Sequence, residues 1–237
     1  MSRRGVLRIG GTAVAAGLVG LAVPPAASAA VRGRAPLGIS AGSTFMAWKG
    51  ISGDQRIWWN GLQNGGTWTG PQPVPGANTN AGVALAGQSG GPLHMTWKGV
   101  EGDQRVFWNT YLGSSTGWTG PQPIDGAFTS GGVALAGPPD GSLQLAWKGA
   151  PGDQRIWWSR LYAGATSWTA PQVVPSANTS VGPALTVYGD SPYMTWKGVE
   201  GDELIWWSRF NGSTWTAPQS VPSASTSFRP ALATLGV

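Results

Sequence analysis

The chain has 237 residues, 41% of them hydrophobic and only 11% charged, with 38 glycines and 15 tryptophans. That composition supports a packed core, while the absence of cysteine excludes a disulfide framework, a zinc–thiolate site and a thiol nucleophile. The formal charge of +5 owes three units to Arg3, Arg4 and Arg8; the remaining 12 basic residues face 10 acidic ones, with no basic run among the aromatics, so no nucleic-acid partner is expected.

The first thirty residues read as an address. A basic start leads into a glycine-rich, weakly apolar stretch and then a small-residue end, where Ala27-Ser28-Ala29 fits an A-x-A cleavage signal. Ser2-Arg3-Arg4-Gly5-Val6-Leu7-Arg8 resembles the bacterial twin-arginine export motif, with Val6 where Phe is commoner. Residues 1–29 are therefore expected to be a twin-arginine-type signal peptide and residues 30–42 a linker. The protein is expected to be secreted, with no stable membrane anchor after cleavage. The alternative is an uncleaved anchor, for which the apolar stretch is short against a span of ~20 residues.

From residue 43 the chain repeats itself. Trp-Lys-Gly begins at Trp48, Trp97, Trp147 and Trp196, spaced by 49, 50 and 49 residues. Gly-Asp follows each time, then an aromatic doublet at Trp58-Trp59, Phe107-Trp108, Trp157-Trp158 and Trp206-Trp207, then a Trp-Thr phrase at Trp68, Trp118, Trp168 and Trp215. Every tryptophan belongs to one of these phrases. Each unit holds four short apolar runs between Gly, Pro, Asn and Asp, with no sustained helical period, so each run is predicted to be a strand. The expected fold class is all-β: a β-propeller of four ~50-residue, four-stranded blades. The propeller should span 43–237, with repeats about 43–81, 82–131, 132–181 and 182–228.

Side-chain size orders the strands. The small run Val83-Ala84-Leu85-Ala86 and its copies suit the crowded axis, and the tryptophan runs suit the splayed outer part of each blade. A middle strand buried on both faces explains the continuous run Ile156-Trp157-Trp158. After the fourth Trp-Thr phrase, Pro230-Ala231-Leu232-Ala233 is a fifth copy of the inner run. Residues 229–235 are expected to close the ring as the missing strand of the first blade and so to remove the free sheet edges. The rival is an incomplete array that assembles with another copy, so the chain is expected as a monomer or a homo-oligomer.

The segment Gly-x-x-Gly-Asp should turn between the second and third strands of each blade. It places charged groups beside tryptophans at one end of the blade. Sugars stack apolar C–H faces on aromatic rings while polar side chains satisfy their hydroxyls. The candidate carbohydrate-binding residues are therefore Lys49, Asp54 and Arg56; Lys98, Asp103 and Arg105; Lys148, Asp153 and Arg155; and Lys197 and Asp202. The competing structural role is that Asp serves turn N–H groups while Lys and Arg pack over tryptophan faces. The fourth repeat has Glu203-Leu204 where the others have Gln-Arg, which would leave three complete copies.

The unit resembles repeats of secreted bacterial β-propellers of the sialidase-like and lectin type, over residues 35–237. Ser208-Arg209-Phe210-Asn211-Gly212-Ser213-Thr214-Trp215 is similar to the Asp-box of that group, with Phe210 in place of the Asp; Gly65, Thr67 and Trp68 keep fragments of it. The resemblance implies a fold element in the turn between third and fourth strands. For a sialidase it implies an arginine triad, a Tyr–Glu nucleophile pair and an Asp acid/base. Arg56, Arg105 and Arg155 occupy equivalent positions, but no nucleophile pair converges, and the repeat-equivalent aspartates stand in like environments, unlike a glycosidase carboxylate pair. The expected function is a non-catalytic, lectin-like propeller with several equivalent weak sites for glycans or glycoconjugates. The alternatives are a sialidase-like glycoside hydrolase, active or vestigial, and a protein-interaction scaffold. No cofactor, metal or catalytic residue is expected; the lone His94 reads as a surface or strand-end histidine.

Overall fold

A computed structural model describes residues 43–63, 66–87 and 91–235. The expected leader at 1–29, the linker at 30–42 and Gly65 lie outside the described residues. The first sheet contains β1 (Thr44–Lys49), β2 (Arg56–Gln63), β3 (Thr67–Trp68) and β4 (Gln72–Asn78). The second contains β5 (Val83–Gly87), β6 (Leu93–Lys98), β7 (Arg105–Tyr111) and β8 (Gln122–Phe128). The third contains β9 (Val133–Ala136), β10 (Leu143–Lys148), β11 (Arg155–Leu161) and β12 (Gln172–Asn178). The fourth contains β13 (Ala184–Tyr188), β14 (Ser191–Lys197), β15 (Leu204–Arg209) and β16 (Gln219–Ser225). The last three sheets run in chain order and are antiparallel throughout; in the first, β2 pairs with β1, β3 and β4. The result is a four-bladed β-propeller.

The repeated phrases set the register. Each Trp-Lys-Gly tryptophan lies opposite the first aromatic of its doublet: Trp48 faces Trp58, Trp97 faces Phe107, Trp147 faces Trp157 and Trp196 faces Trp206. Strand alternation then sends the flanking apolar residues to the other face. In β11, Ile156 and Trp158 point to one side, and Trp157 joins Trp147 on the other. Both faces of the blade are covered, which is why the run is continuous and not alternating.

The small-residue strands lie together as their size predicts: β5 neighbours β9, and β9 neighbours β13. The joints between blades share one plan. A face bearing Ile57, Val74 and Ala77 packs on Met95 and Trp97 of the next blade. Val106, Ile124 and Ala127 pack on Leu145 and Trp147. Ile156, Val174 and Ala177 pack on Met194 and Trp196. Trp97, Trp147 and Trp196 are almost completely buried. A tryptophan hides ~150–250 Å² at ~25 cal/mol per Å², or roughly 4–6 kcal/mol gross, so these three rings dominate their joints.

The Trp-Thr phrase closes each blade. Thr69 and Thr119 hydroxyls donate to Asn60 and Asn109 Oδ1 at 2.8 and 2.9 Å, while the Ser159 and Ser208 hydroxyls donate to the Thr169 and Thr216 carbonyls at 2.7 Å each. In the last turn, Asn211 Oδ1 accepts from Ser213 N at 3.1 Å and Thr214 N at 2.9 Å, and seats Trp215 against Phe210.

The C-terminal run departs from expectation. Residues 229–235 form no strand, and the first sheet takes all four of its strands from residues 44–78. The run instead follows the inner edges of the other blades. Arg229 Nη2 donates to the Val133 carbonyl at 3.2 Å, and Thr234 shares a hydroxyl hydrogen bond with Thr186 at 3.1 Å. Pro230 supplies no N–H for a ladder, and the Arg229 anchor holds the segment towards the third blade. Among the described residues, no buried apolar cluster joins the fourth sheet to the first.

Candidate functional site

The hairpin Lys-Gly-x-x-Gly-Asp has one geometry in all four blades. In the first, Gly50 N donates to the Arg56 carbonyl and Asp54 N to the Ile51 carbonyl, both at 2.9 Å. The second glycine is left-handed, with φ of 83°, 81°, 86° and 84° at Gly53, Gly102, Gly152 and Gly201, a conformation that costs glycine little. The first glycine is required by space. A Cβ on Gly50, Gly99 or Gly149 would stand 2.5, 2.6 or 2.5 Å from the Cγ of Asp54, Asp103 or Asp153, and one on Gly198 would strike Asp202. Each aspartate lies flat across its glycine.

There the carboxylate is used up. Asp153 Oδ1 accepts from Arg155 N at 3.0 Å and Nε at 2.9 Å; Oδ2 accepts from Arg155 Nη2 at 3.1 Å and Trp157 Nε1 at 2.8 Å. Asp54 repeats the set with Arg56 and Trp58. Asp103 has the Arg105 bonds, at 3.1, 2.9 and 2.8 Å, opposite a phenylalanine that carries no N–H. Asp202 accepts from Leu204 N and Trp206 Nε1, without an arginine. The Arg155 side-chain bonds prevail over partial burial and hold the Asp153 carboxyl down at about 2; the corresponding arginine bonds hold Asp54 and Asp103 below the usual carboxylate range. An acid so stabilised in its ionised form is a poor proton donor near neutral pH.

Each arginine is flattened between its carboxylate and an aromatic face. Arg56, Arg105 and Arg155 hold Cζ 4.7, 5.0 and 4.8 Å from the ring centroids of Trp58, Phe107 and Trp157. Their side chains stay 57%, 54% and 54% exposed. The three blades therefore present three pre-oriented guanidinium edges.

The lysines turn inward. Lys98 Nζ donates to Asn80 Oδ1 at 3.0 Å and to the Val100 and Asp103 carbonyls at 3.2 and 3.1 Å. Lys197 Nζ donates to Ser180 Oγ at 3.2 Å and to the Val199 and Asp202 carbonyls at 3.1 Å each. Lys148 Nζ reaches Ser130 Oγ at 2.8 Å, and Lys49 Nζ reaches carbonyls of its own turn. Burial lowers the Lys98 and Lys148 pKa. Lys98 and Lys197 are buried, and each staples its turn to the segment arriving from the preceding blade.

At the opposite end of the hairpins, a cavity of about 590 Å³ opens between the first two sheets. Phe45, Trp59, Tyr111 and Trp118 wall it, with Ser43, Thr69, Gln72 and Ser114 among its polar lining. Phe45 stacks on Trp59 at 6.1 Å, Tyr111 lies 4.8 Å from Trp59, and Trp118 meets Trp59 edge-on at 5.7 Å. The volume is in the range of small-molecule sites. A smaller crevice of about 190 Å³ lies between the third and fourth blades, bounded by Ser176, Asn178, Trp196, Asp202 and Trp206. Among the described residues, no group of three His, Asp or Glu could hold a metal ion.

This architecture recurs in known structures. The fold is that of propeller lectins and sialidases. A lectin from Burkholderia pseudomallei superposes with a TM-score of 0.57 at 16% identity, over 78% of this chain and 56% of that one. The Aleuria aurantia lectin in complex with Fucα1-6GlcNAc gives 0.51 at 18%, over 78% and 63%. The intramolecular trans-sialidase of Ruminococcus gnavus, in complex with oseltamivir carboxylate, gives 0.53 at 14%, over 72% and 41%. The chain thus spans between two fifths and two thirds of the lengths of these neighbours. No protein-family model and no curated protein matches it.

The structure brings each Asp–Arg pair together and leaves the four turns as separate sites on separate blades. It sets the lysines apart from them as turn staples. Of the cavity residues, Phe45, Tyr111 and Ser114 were not site candidates in the sequence, and Gln72 belongs to the repeated Trp-Thr phrase, recurring as Gln122, Gln172 and Gln219, without marking a site. The signal was the departure from the repeat: Phe45 is replaced by His94, Gln144 and Tyr193 in the other blades, and Tyr111 by Leu62, Leu161 and Phe210.

Proposed function

We propose that this chain is an exported, lectin-like carbohydrate-binding propeller whose principal site is the aromatic cavity between the first two blades. The observation that carries the proposal is that cavity: about 590 Å³, walled by four aromatic rings and lined by hydroxyls and an amide. A pyranose stacks an apolar face on Trp59 or Phe45 and directs its hydroxyls to Thr69, Gln72 and Ser114. No carboxylate is among the described residues lining it, so it offers no acid–nucleophile pair for glycoside hydrolysis. The three exposed guanidinium edges at the opposite end act as secondary, weak contacts, favouring acidic or hydroxyl-rich glycans through multivalency. The resemblance of fold to a fucoside-bound lectin and to a trans-sialidase makes fucosides and sialosides the first probes.

The test is a tryptophan-fluorescence and calorimetric titration against a glycan panel. The proposal expects saturable binding by at least one glycan, weakened by Gln72→Ala and Trp59→Phe with little change in folding. Binding lost only when Arg56, Arg105 and Arg155 are replaced would move the site to the turns. No binding by any glycan would favour a protein-interaction scaffold.

A further inference from the structure

Among the described residues, the first and fourth blades each leave one face without the partner that the repeat provides elsewhere. At the three internal joints Met95, Leu145 and Met194 are fully buried, yet the equivalent Met46 is 42% exposed. Trp215 is 2% exposed at its joint and the equivalent Trp68 is 41% exposed. On the fourth blade, Ile205, Val221 and Ala224 are half-buried, whereas Ile156, Val174 and Ala177 of the third blade are fully buried. The two uncovered faces are the two halves of one repeated joint: Ile-Val-Ala on one side, Met-Trp on the other.

The polar bonds of the joint are also half-made. Thr79 and Thr179 hydroxyls donate to the Lys98 and Lys197 carbonyls of the following blade at 2.6 and 2.7 Å. The equivalent Thr226 hydroxyl accepts from Phe228 N at 3.1 Å, and among the described residues it reaches no lysine carbonyl. Lys98, Lys148 and Lys197 each bond Asn80, Ser130 or Ser180 of the segment arriving from the preceding blade, while Lys49, among the described residues, bonds carbonyls of its own turn. The counterpart of those residues is Ser227, whose hydroxyl is turned to Glu203 at 2.8 Å. Residues 232–235 border the fourth blade's face, beside Tyr193 and Trp207, and leave a largely apolar hollow of about 540 Å³ there.

We propose that a second copy of this chain covers these faces head-to-tail, the fourth-blade face of one copy on the first-blade face of the next. Repeat equivalence names the occupant, because the surface that meets the equivalents of Met46, Trp48 and Trp68 at every internal joint is one that this chain itself carries uncovered. The contact is heterologous, and two copies make the smallest ring that covers all the faces. It sets Ser227 of one copy beside Lys49 of the other and reproduces the joint at which the lysine staple is complete.

The test is the light-scattering mass of the purified chain, with Met46→Glu, Val221→Glu and the conservative Met46→Leu. The expected wild-type mass is a multiple of the chain mass, kept by Met46→Leu. Each glutamate variant should fall to the single-chain mass with an unchanged circular dichroism spectrum. Mixing the two should restore a species of two chains, because each keeps the face the other lost. A single-chain wild type at every concentration overturns the proposal, as does a glutamate variant that stays assembled, or two folded variants that do not pair on mixing. The readout is mass alone, so it is independent of any glycan.

Discussion

Gly149→Ala should be among the most damaging single-methyl additions in the protein, and Asp153 should be the reason. The added Cβ would lie 2.5 Å from Asp153 Cγ and Oδ2 and 2.7 Å from its Cβ. The carboxylate would have to leave its place, giving up the bonds from Arg155 and Trp157. The exposed Asp–Arg pair itself contributes little. The loss of an acceptor for Arg155 N and the part-buried indole N–H adds ~1–2 kcal/mol, for a total of roughly 2 kcal/mol. Strain at the turn adds ~1–3 kcal/mol, so Gly149→Ala should cost roughly 4 kcal/mol. Asp153→Gly alone should cost about 3 kcal/mol, including backbone entropy. Glycine is the needed partner, because an alanine at 153 would keep the clashing Cβ. The double variant should cost about 3 kcal/mol, the methyl now having room, which leaves a coupling near 4 kcal/mol. Urea unfolding followed by tryptophan fluorescence measures all three. Additive effects would refute the steric account of the Trp-Lys-Gly glycine.

Other consequences follow from the same geometry. Trp147→Ala should cost ~3–5 kcal/mol in urea unfolding, because Trp147 is 1% exposed; in the single-chain Val221→Glu background Trp48→Ala should cost clearly less, because Trp48 is only half-buried in one chain. Asp153 titrates near 2 when folded against 3.8 when free, so its clamp is fully present above about pH 4 and is lost as pH falls towards 2; Asp153→Asn should flatten that part of the acid limb. Burial pushes His94 down to about 4 from 6.5, so its contribution is complete above pH 6.5 and declines as pH falls towards 4; His94→Gln should remove that earlier loss, read as the urea midpoint against pH. Replacing Arg56, Arg105 and Arg155 together by glutamine should leave the urea midpoint nearly unchanged, measured in the same assay, since the pairs are exposed.

The repeat made the blades legible. Four in-phase copies with turn residues between short apolar runs left little choice but four-stranded sheets, and the alanine-rich run placed itself at the axis by size. The division of the turn was half legible. That Asp serves backbone N–H groups and Arg lies over tryptophan followed from residue type. That Lys98 and Lys197 are buried staples did not, because their partners Asn80 and Ser180 come from the preceding blade, 18 and 17 residues away, and the repeat does not show which turn they will meet. The closing strand failed for a related reason: Pro230-Ala231-Leu232-Ala233 matches the inner run in composition, but strand pairing depends on N–H groups and on where Arg229 finds its carbonyl. The cavity was hidden because repeats hide it. Phe45 and Tyr111 matter through differing from their equivalents, and whether such a difference opens space depends on how the neighbouring rings Trp59 and Trp118 pack.

The most direct measurement of the central claim is a calorimetric titration of the wild type and Gln72→Ala with the glycan that gives the largest fluorescence change in the panel. The account predicts a principal site of one glycan per chain, weakened at least tenfold (about 1.4 kcal/mol) by Gln72→Ala and nearly unchanged by Arg105→Gln. Binding that ignores Gln72 and falls with each arginine removed, or no binding at all, would contradict it.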